Sequence, residues 1–405
     1  MFPAGRLSYS VRTEHESAVN EDKSTRYHRR RRRSDLTGTA LVGGVLLAVS
    51  LSGVATMCRT AAEWATAWLP ANLASGASVG LVLAGLAVAV QTLEFPFAWY
   101  QGYWLERRYG LSTERLSHWL SDHVKAITAS GAVVVGGAWA VYVCIQRWPA
   151  AWWLVAASGC TLSMVALARL APMLLLPFFY RVQALRRASL SERLVRLAKR
   201  AGAPVLDVSE WAIGGHTRRA NAALAGVGRS RRILISDTML DAYSDEEIEV
   251  VVAHELAHHV HHDLWLTMLL RALTLYGGFF VAARTLVAVA PWLELREPAD
   301  VAGAPVLLLV AGVWLRVLSP IGNALSRAQE RRADRYALTL TGNPGAFIAA
   351  MRRLAQQNLA EDRPSVLART LFYSHPPMRE RIAAAEAWHG VVRPLPARGI
   401  MSGEE

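Results

Sequence analysis

The chain has 405 residues, of which 53% are hydrophobic and only 19% charged, yet its formal net charge is +12 and its mean hydropathy is +0.21. Collagen-like, disordered and disulfide-knot classes are excluded by that composition. An apolar but basic chain points instead to a polytopic membrane protein with cationic loops on one side. Of the 44 basic residues only Lys23, Lys125 and Lys199 are lysines, a bias that reads as GC-rich coding in a bacterium. Cys58, Cys144 and Cys160 fall in or beside apolar stretches, which argues against a disulfide framework or an all-cysteine zinc site.

Residues 1–35 are polar and end in the run Arg29 to Arg33. They read as a basic cytoplasmic tail and topological charge anchor, not as a signal peptide. Six stretches then reach the roughly 20 apolar residues that a spanning helix needs, at about 36–57, 78–98, 126–145, 151–179, 264–290 and 304–322. Basic residues number nine in the N-terminal tail, four in 99–125 and twelve in 181–263, against the single Arg59, Arg147 and Arg296 of the alternate loops. The positive-inside rule therefore puts both termini and the 181–263 segment in the cytoplasm, with a bacterial cell (inner) membrane as the expected location. Within the apolar stretches, Glu94, Arg271, Arg284 and Arg316 lie near helix ends and read as snorkelling, whereas Arg169, near Pro172, reads as facing a hydrated interior.

Residues 181–243 read as an α/β element. An amphipathic helix over about 189–201 is followed by Gly202 and Pro204, then by strand-like runs at Val205–Trp211 and Arg232–Ser236.

The segment Ser244 to His259 carries the chemistry. Ser244 and Glu247 have the spacing of a capping box, so a helix is expected to start here. On it His254 and His258 are four residues apart and share a face, which places two imidazoles on one metal ion. Glu255 beside them completes His-Glu-x-x-His and can act as general base on a water. His259, His261 and His262 suit a headgroup-level surface. A hydrolytic zinc site wants a third protein ligand and one open position. Glu330 and Asp334, again four apart, supply a ligand and a carboxylate to accept the spare N–H of a ligand histidine.

With these pieces in place, the chain resembles the membrane-embedded zinc metallopeptidases that include the type I CAAX prenyl endopeptidases and the HtpX-type quality-control proteases. The resemblance rests on His254-Glu-Leu-Ala-His258, Glu330-Arg-Arg-Ala-Asp334 and Ser374-His-Pro-Pro-Met-Arg-Glu-Arg-Ile382, with Arg219-Ala-Asn-Ala222 and Arg232-Ile-Leu-Ile-Ser-Asp-Thr238 upstream. The Gln101–Ser112 loop and the four spans before the zinc helix are similar to the prenyl-protease branch, which has seven helices. The resemblance covers about 90–385 and implies one Zn²⁺ per chain held by His254, His258 and Glu330, with Glu255 activating water. It further implies that Asn221 lies on an edge strand gripping the peptide, and that His375 and Arg381 line the site near the scissile carbonyl.

The expected fold is therefore mainly α: a polytopic helical membrane protein of six to seven spans with a zincin-type catalytic region containing a small β element. The expected division is a tail (1–35), spans 1–4 (36–180), a catalytic segment (181–262), spans 5–6 (263–322) and a helical catalytic segment (323–405). The expected activity is zinc-dependent endoproteolysis of membrane-associated, lipidated or misfolded polypeptides, with the lipid bilayer as the other partner and no nucleic acid. Two alternatives stand beside it. One is a site-two-type intramembrane protease, of whose Asp-containing motif Thr341–Gly345 is a faint echo. The other is a metal-binding transporter or chaperone, in which Glu255 would have no purpose.

Overall fold

The computed structural model describes residues 8–174, 181–215, 217–225 and 231–388. The first half is helical: α1 (Ser8–Leu51), α2 (Val54–Thr66), α3 (Ala71–Trp99), α4 (Leu105–Tyr109), α5 (Leu116–Arg147) and α6 (Trp152–Leu174). Among the described residues five helical stretches are long and apolar enough to cross a membrane: Lys23–Leu51, Ala71–Tyr109, Leu116–Arg147, Asp263–Val289 and Val301–Thr341. They correspond to five of the six stretches expected. The sixth, α6, is apolar over the shorter run Trp152–Ala168, and the Arg169 side chain lies outside the described residues. Leu51, Val133, Leu162 and Val317 all stand open on the outer surface of these helices, an arrangement that lipid permits and water does not.

One boundary differs from expectation. The residues read as a tail are helical from Ser8 onward, and α1 runs unbroken through Arg29–Arg33 into the first apolar stretch. No Gly or Pro interrupts 8–37, and arginine is a good helix former. Arg316 does more than snorkel: its Nη2 donates to Asp35 Oδ2 at 2.9 Å and to Thr39 Oγ1 at 2.8 Å, tying a later span to α1.

The second half begins with β1 (Arg181–Ala184), α7 (Ala188–Arg200), β2 (Asp207–Ala212), β3 (Ala222–Ala225), β4 (Arg232–Ser236), α8 (Asp237–Ala242) and α9 (Asp245–Val260). Then come α10 (Asp263–Val289), α11 (Ala304–Thr341), α12 (Pro344–Gln357), α13 (Val366–Phe372) and α14 (Met378–Glu386). The sheet order is β1-β2-β4-β3; the central β2–β4 pair is parallel and the outer pairs are antiparallel. Two of these strands match the expected runs. The other two escaped notice because they are short, and β3 is Ala-Ala-Leu-Ala, a sequence of low strand preference. Pairing with β4 imposes its extended conformation.

The apolar stripe of α7 buries Leu190, Leu194 and Leu197 against Ile233 and Ile235 of β4, Ile248, Val252 and Leu256 of α9, and Phe347 of α12. Each such side chain contributes about 1.5–3 kcal/mol by leaving water. This core fixes α9 between the sheet and the last helices. Thr341–Gly345 is a joint between α11 and α12: Gly342 takes φ 62° at the end of one helix, and Asn343 caps the next by accepting from Ala346 N.

Candidate active site

The helix that carries His-Glu-x-x-His starts where its sequence says it should. Glu247 N donates to Ser244 Oγ at 3.2 Å, and Ser244 N donates to Glu247 Oε2 at 2.8 Å, the two halves of a capping box. Asp245, Glu246 and Glu247 occupy the first turn, the positive end of the helix dipole. The helix breaks at His262, whose φ of 58° is left-handed, and Asp263 opens α10 directly afterwards.

Three side chains converge beside it. His254 Nε2 lies 3.3 Å from Glu330 Oε2 and His258 Nε2 lies 3.5 Å from Glu330 Oε1. These donor atoms form one of two groups among the described residues whose spacing suits a metal ion. Ligand atoms 2.0–2.1 Å from a tetrahedral ion stand about 3.3 Å apart, so the spacing fits. A second sign is the Glu330 Oε2 atom. It is buried and accepts no aligned hydrogen bond among the described residues, although His254 Nε2 and His375 Nδ1 lie 3.3 and 3.0 Å away. Two imidazoles and a carboxylate facing one point with an oxygen left unsatisfied are a donor set for a metal ion. The other group, Glu114, His118 and Asp122 on α5, is partly exposed and Lys125 donates to Asp122 at 3.0 Å, which makes it a surface salt-bridge row.

The far side of each imidazole is also fixed. His254 Nδ1 faces Asp334 Oδ1 at 2.9 Å, and His258 Nδ1 donates to Asp263 Oδ2 at 2.9 Å. Each carboxylate holds the N–H on Nδ1 and turns the Nε2 lone pair toward Glu330. Asp263 is itself buried; Arg332 donates to its carboxylate, and Gln329 Nε2 donates to its carbonyl at 3.3 Å. Burial alone would lower the His254 pKa, but the contacts with Asp334 and Glu330 raise it to about 9. A metal held at Nε2 would require the neutral imidazole, because that is the form in which histidine ligates. Burial pushes the Glu255 carboxyl up from its ordinary value.

The remaining expected residues divide. Asp334 lies behind His254, as its spacing from Glu330 anticipates. His375 reaches the centre through Glu330, and its own side chain is largely open to solvent. Asn221 directly precedes β3, the sheet edge; its carbonyl accepts from Ser236 N and its N–H donates to Ser236 Oγ, both at 2.9 Å. Arg381 is buried beside the cluster: its guanidinium donates from Nε and Nη2 to Asp334 at 2.8 and 2.6 Å, behind His254, and Nη2 stands 3.8 Å from Glu330 Oε2. Asp263 was missed as a site residue, although an acidic residue five positions after His258, across a helix break, was the available signal.

A helical membrane bundle carrying a small mixed sheet and a buried His-His-Glu cluster beside a glutamate base defines a membrane metallopeptidase. The chain belongs to peptidase family M48, whose model matches residues 184–389, and the model described as CAAX prenyl protease N-terminal, five membrane helices, matches 13–181. Among similar proteins is the uncharacterized metalloprotease YhfN of Bacillus subtilis, 29% identical over 328 residues that cover 80% of this chain and 76% of that one. CAAX prenyl protease 1 of Saccharomyces cerevisiae is 25% identical over 350 residues, covering 78% and 74%. The crystal structure of S. mikatae Ste24p shares the fold with a TM-score of 0.75 at 20% identity, over 91% of this chain and 88% of that chain.

Proposed function

We propose that this metallopeptidase uses zinc to cut membrane-associated polypeptides from the cytosolic side of a bacterial cell membrane. The observation that carries the reading is the convergence of His254 Nε2 and His258 Nε2 on the Glu330 carboxylate at 3.3 and 3.5 Å, with Glu255 on the same helix. In this scheme His254, His258 and Glu330 hold one zinc per chain, the ion expected for a two-histidine, one-glutamate set with an open position. When bound, zinc supplies Lewis acidity, which brings the pKa of a water to about 7 and polarises the scissile carbonyl.

Every other task falls to the chain. Glu255 takes the proton of the attacking water and delivers it to the leaving amine. Asp334 and Asp263 keep the two imidazoles in one tautomer, and Arg381 holds Asp334 in place from behind. The free edge of β3, with Asn221 at its start, pairs with an extended peptide through main-chain hydrogen bonds, a grip that asks little of side chains. His375, partly open to solvent beside Glu330, donates to the oxyanion that develops on the carbonyl. The spans of 36–180 and 263–322 then enclose a centre built from 181–262 and 323–405. Misfolded or peptide-like membrane polypeptides are the first substrate class of this reading; the relatives named CAAX prenyl proteases add lipidated peptides as a second.

Sealed membrane vesicles test activity and orientation together. Inverted vesicles, with the cytosolic face outward, are expected to cut an added impermeant fluorogenic peptide, while right-side-out vesicles leave it intact. Cleavage by right-side-out vesicles alone overturns the orientation, and cleavage by neither overturns the hydrolytic reading.

His375→Ala is expected to lower kcat by about 10²–10³-fold, the scale of one oxyanion donor, with metal content kept and KM little changed. Metal stoichiometry, Tm and kcat on this variant check the role. A folded, metal-loaded protein with near-normal kcat removes His375 from the mechanism.

A further inference from the structure

The inner face of α1 contacts both the approach to β3 and the segment that leads to His375. Tyr27 is fully buried in a small core with Leu105, Tyr109, Leu111 and Leu359. Its hydroxyl donates to Glu106 and accepts from Arg31 Nη1 at 2.9 Å and Arg219 Nη2 at 3.0 Å. Arg219 also donates to both Glu106 oxygens at 3.0 and 3.1 Å, and its carbonyl accepts from Thr238 Oγ1 at 2.8 Å. It stands two residues before Asn221, so this contact fixes the approach to the edge strand.

The neighbouring residues of α1 hold a second segment, the one that leads to His375. His28 Nε2 donates to Leu359 O at 2.9 Å. The Arg32 guanidinium donates to Glu361 and, at 2.6 Å, to the Tyr373 hydroxyl, which in turn donates to Glu361. Glu361 is buried. The Tyr373 carbonyl accepts from Arg327 Nη1 at 2.6 Å, which ties this segment to α11 three residues before Glu330. His375 follows two residues after Tyr373. A cavity of about 410 Å³ lies against this segment, lined by His28, Arg31, Arg32, Gln101, Tyr373 and His375. Arg29 and Arg33, by contrast, are exposed on the outer side of α1, where a topological charge anchor belongs.

We propose that Arg32 is a positioning residue for His375, and that Tyr27 and Glu106 do the same for the edge strand through Arg219. The Tyr27–Arg32 segment of α1 thereby sets the placement of His375 relative to β3. This rests on the reading of His375 and β3 as substrate-facing. The chemistry favours a directional role: a guanidinium fork shared by a carboxylate and a phenol fixes orientation as well as charge, which a lysine cannot reproduce.

The test uses full-length protein in detergent with a fluorogenic peptide, reading kcat, KM, metal stoichiometry and Tm. Arg32→Ala is expected to keep its metal and its KM while kcat falls about 10–10²-fold, since a misplacement of about 1 Å in a reacting group costs up to that much. Arg32→Lys, which keeps the charge but loses the fork, is expected to fall between, and it reads the effect if Arg32→Ala fails to fold. Adding Arg32→Ala to His375→Ala is expected to cost little more, because the two act through one group. Glu106→Gln is expected to raise KM with kcat retained, and Arg29→Ala to change neither. A folded, metal-loaded Arg32→Ala with normal kcat, or losses that simply multiply with those of His375→Ala, overturns the proposal, and an unchanged KM in Glu106→Gln overturns its strand arm. Should Glu255→Gln retain hydrolysis, the failure lies in the assignment of the centre itself and not in α1.

Discussion

Glu255→Gln is expected to retain its metal and its fold while kcat falls by about 10²–10⁴-fold, the contribution of a general base. Gln keeps the shape of the side chain and removes only its ability to take a proton. Glu255 is not one of the three groups that converge, since these are His254, His258 and Glu330, so metal stoichiometry should match wild type. KM should change little, because the base acts on the transition state more than on the bound peptide. In cells the same variant is expected to bind substrates and release them uncut, so intact membrane polypeptides should accumulate relative to wild type. Normal turnover in a folded, metal-loaded Glu255→Gln would exclude this residue as the base.

Glu330→Ala should act at the other end of the scheme. Its two carboxylate oxygens face the two Nε2 atoms, and among the described residues no other carboxylate joins His254 and His258 in the cluster. Loss of a direct ligand is expected to weaken metal binding by more than about 100-fold, the upper end for an outer-shell partner. Activity should then disappear with the metal and return in part at high zinc concentration. Metal analysis alongside kcat checks this: full metal and full activity in Glu330→Ala contradict its role as a ligand. The contrast with Glu255→Gln, inactive but loaded, separates base from ligand.

How far the sequence discloses this site follows from the range of the contacts. His254, Glu255 and His258 sit within one helical turn, and Glu330 and Asp334 within another, so helix periodicity alone puts each set on a face. The capping box gives the start of α9 from two residues. Contacts between distant parts of the chain leave no such trace. Arg381 binds Asp334 across 47 positions, and its place behind His254 depends on how α14 packs against α11. Asp263 reaches His258 only because the left-handed turn at His262 swings α10 away from α9. Strand β3 owes its conformation to pairing with β4, so its alanine-rich sequence conceals it. Arg32 meets Glu361 across 329 positions; a run of arginines before an apolar stretch reads as topology, and only the folded chain shows that its inner face is structural.

Metal removal and return on the wild-type protein tests the central claim most directly. Purified protein in detergent, stripped with a chelator, is expected to lose peptide hydrolysis and to recover it on titration with zinc, reaching a plateau at one equivalent per chain. Hydrolysis that persists in fully stripped protein, or a plateau that ignores the zinc stoichiometry, would contradict a zinc centre built on His254, His258 and Glu330.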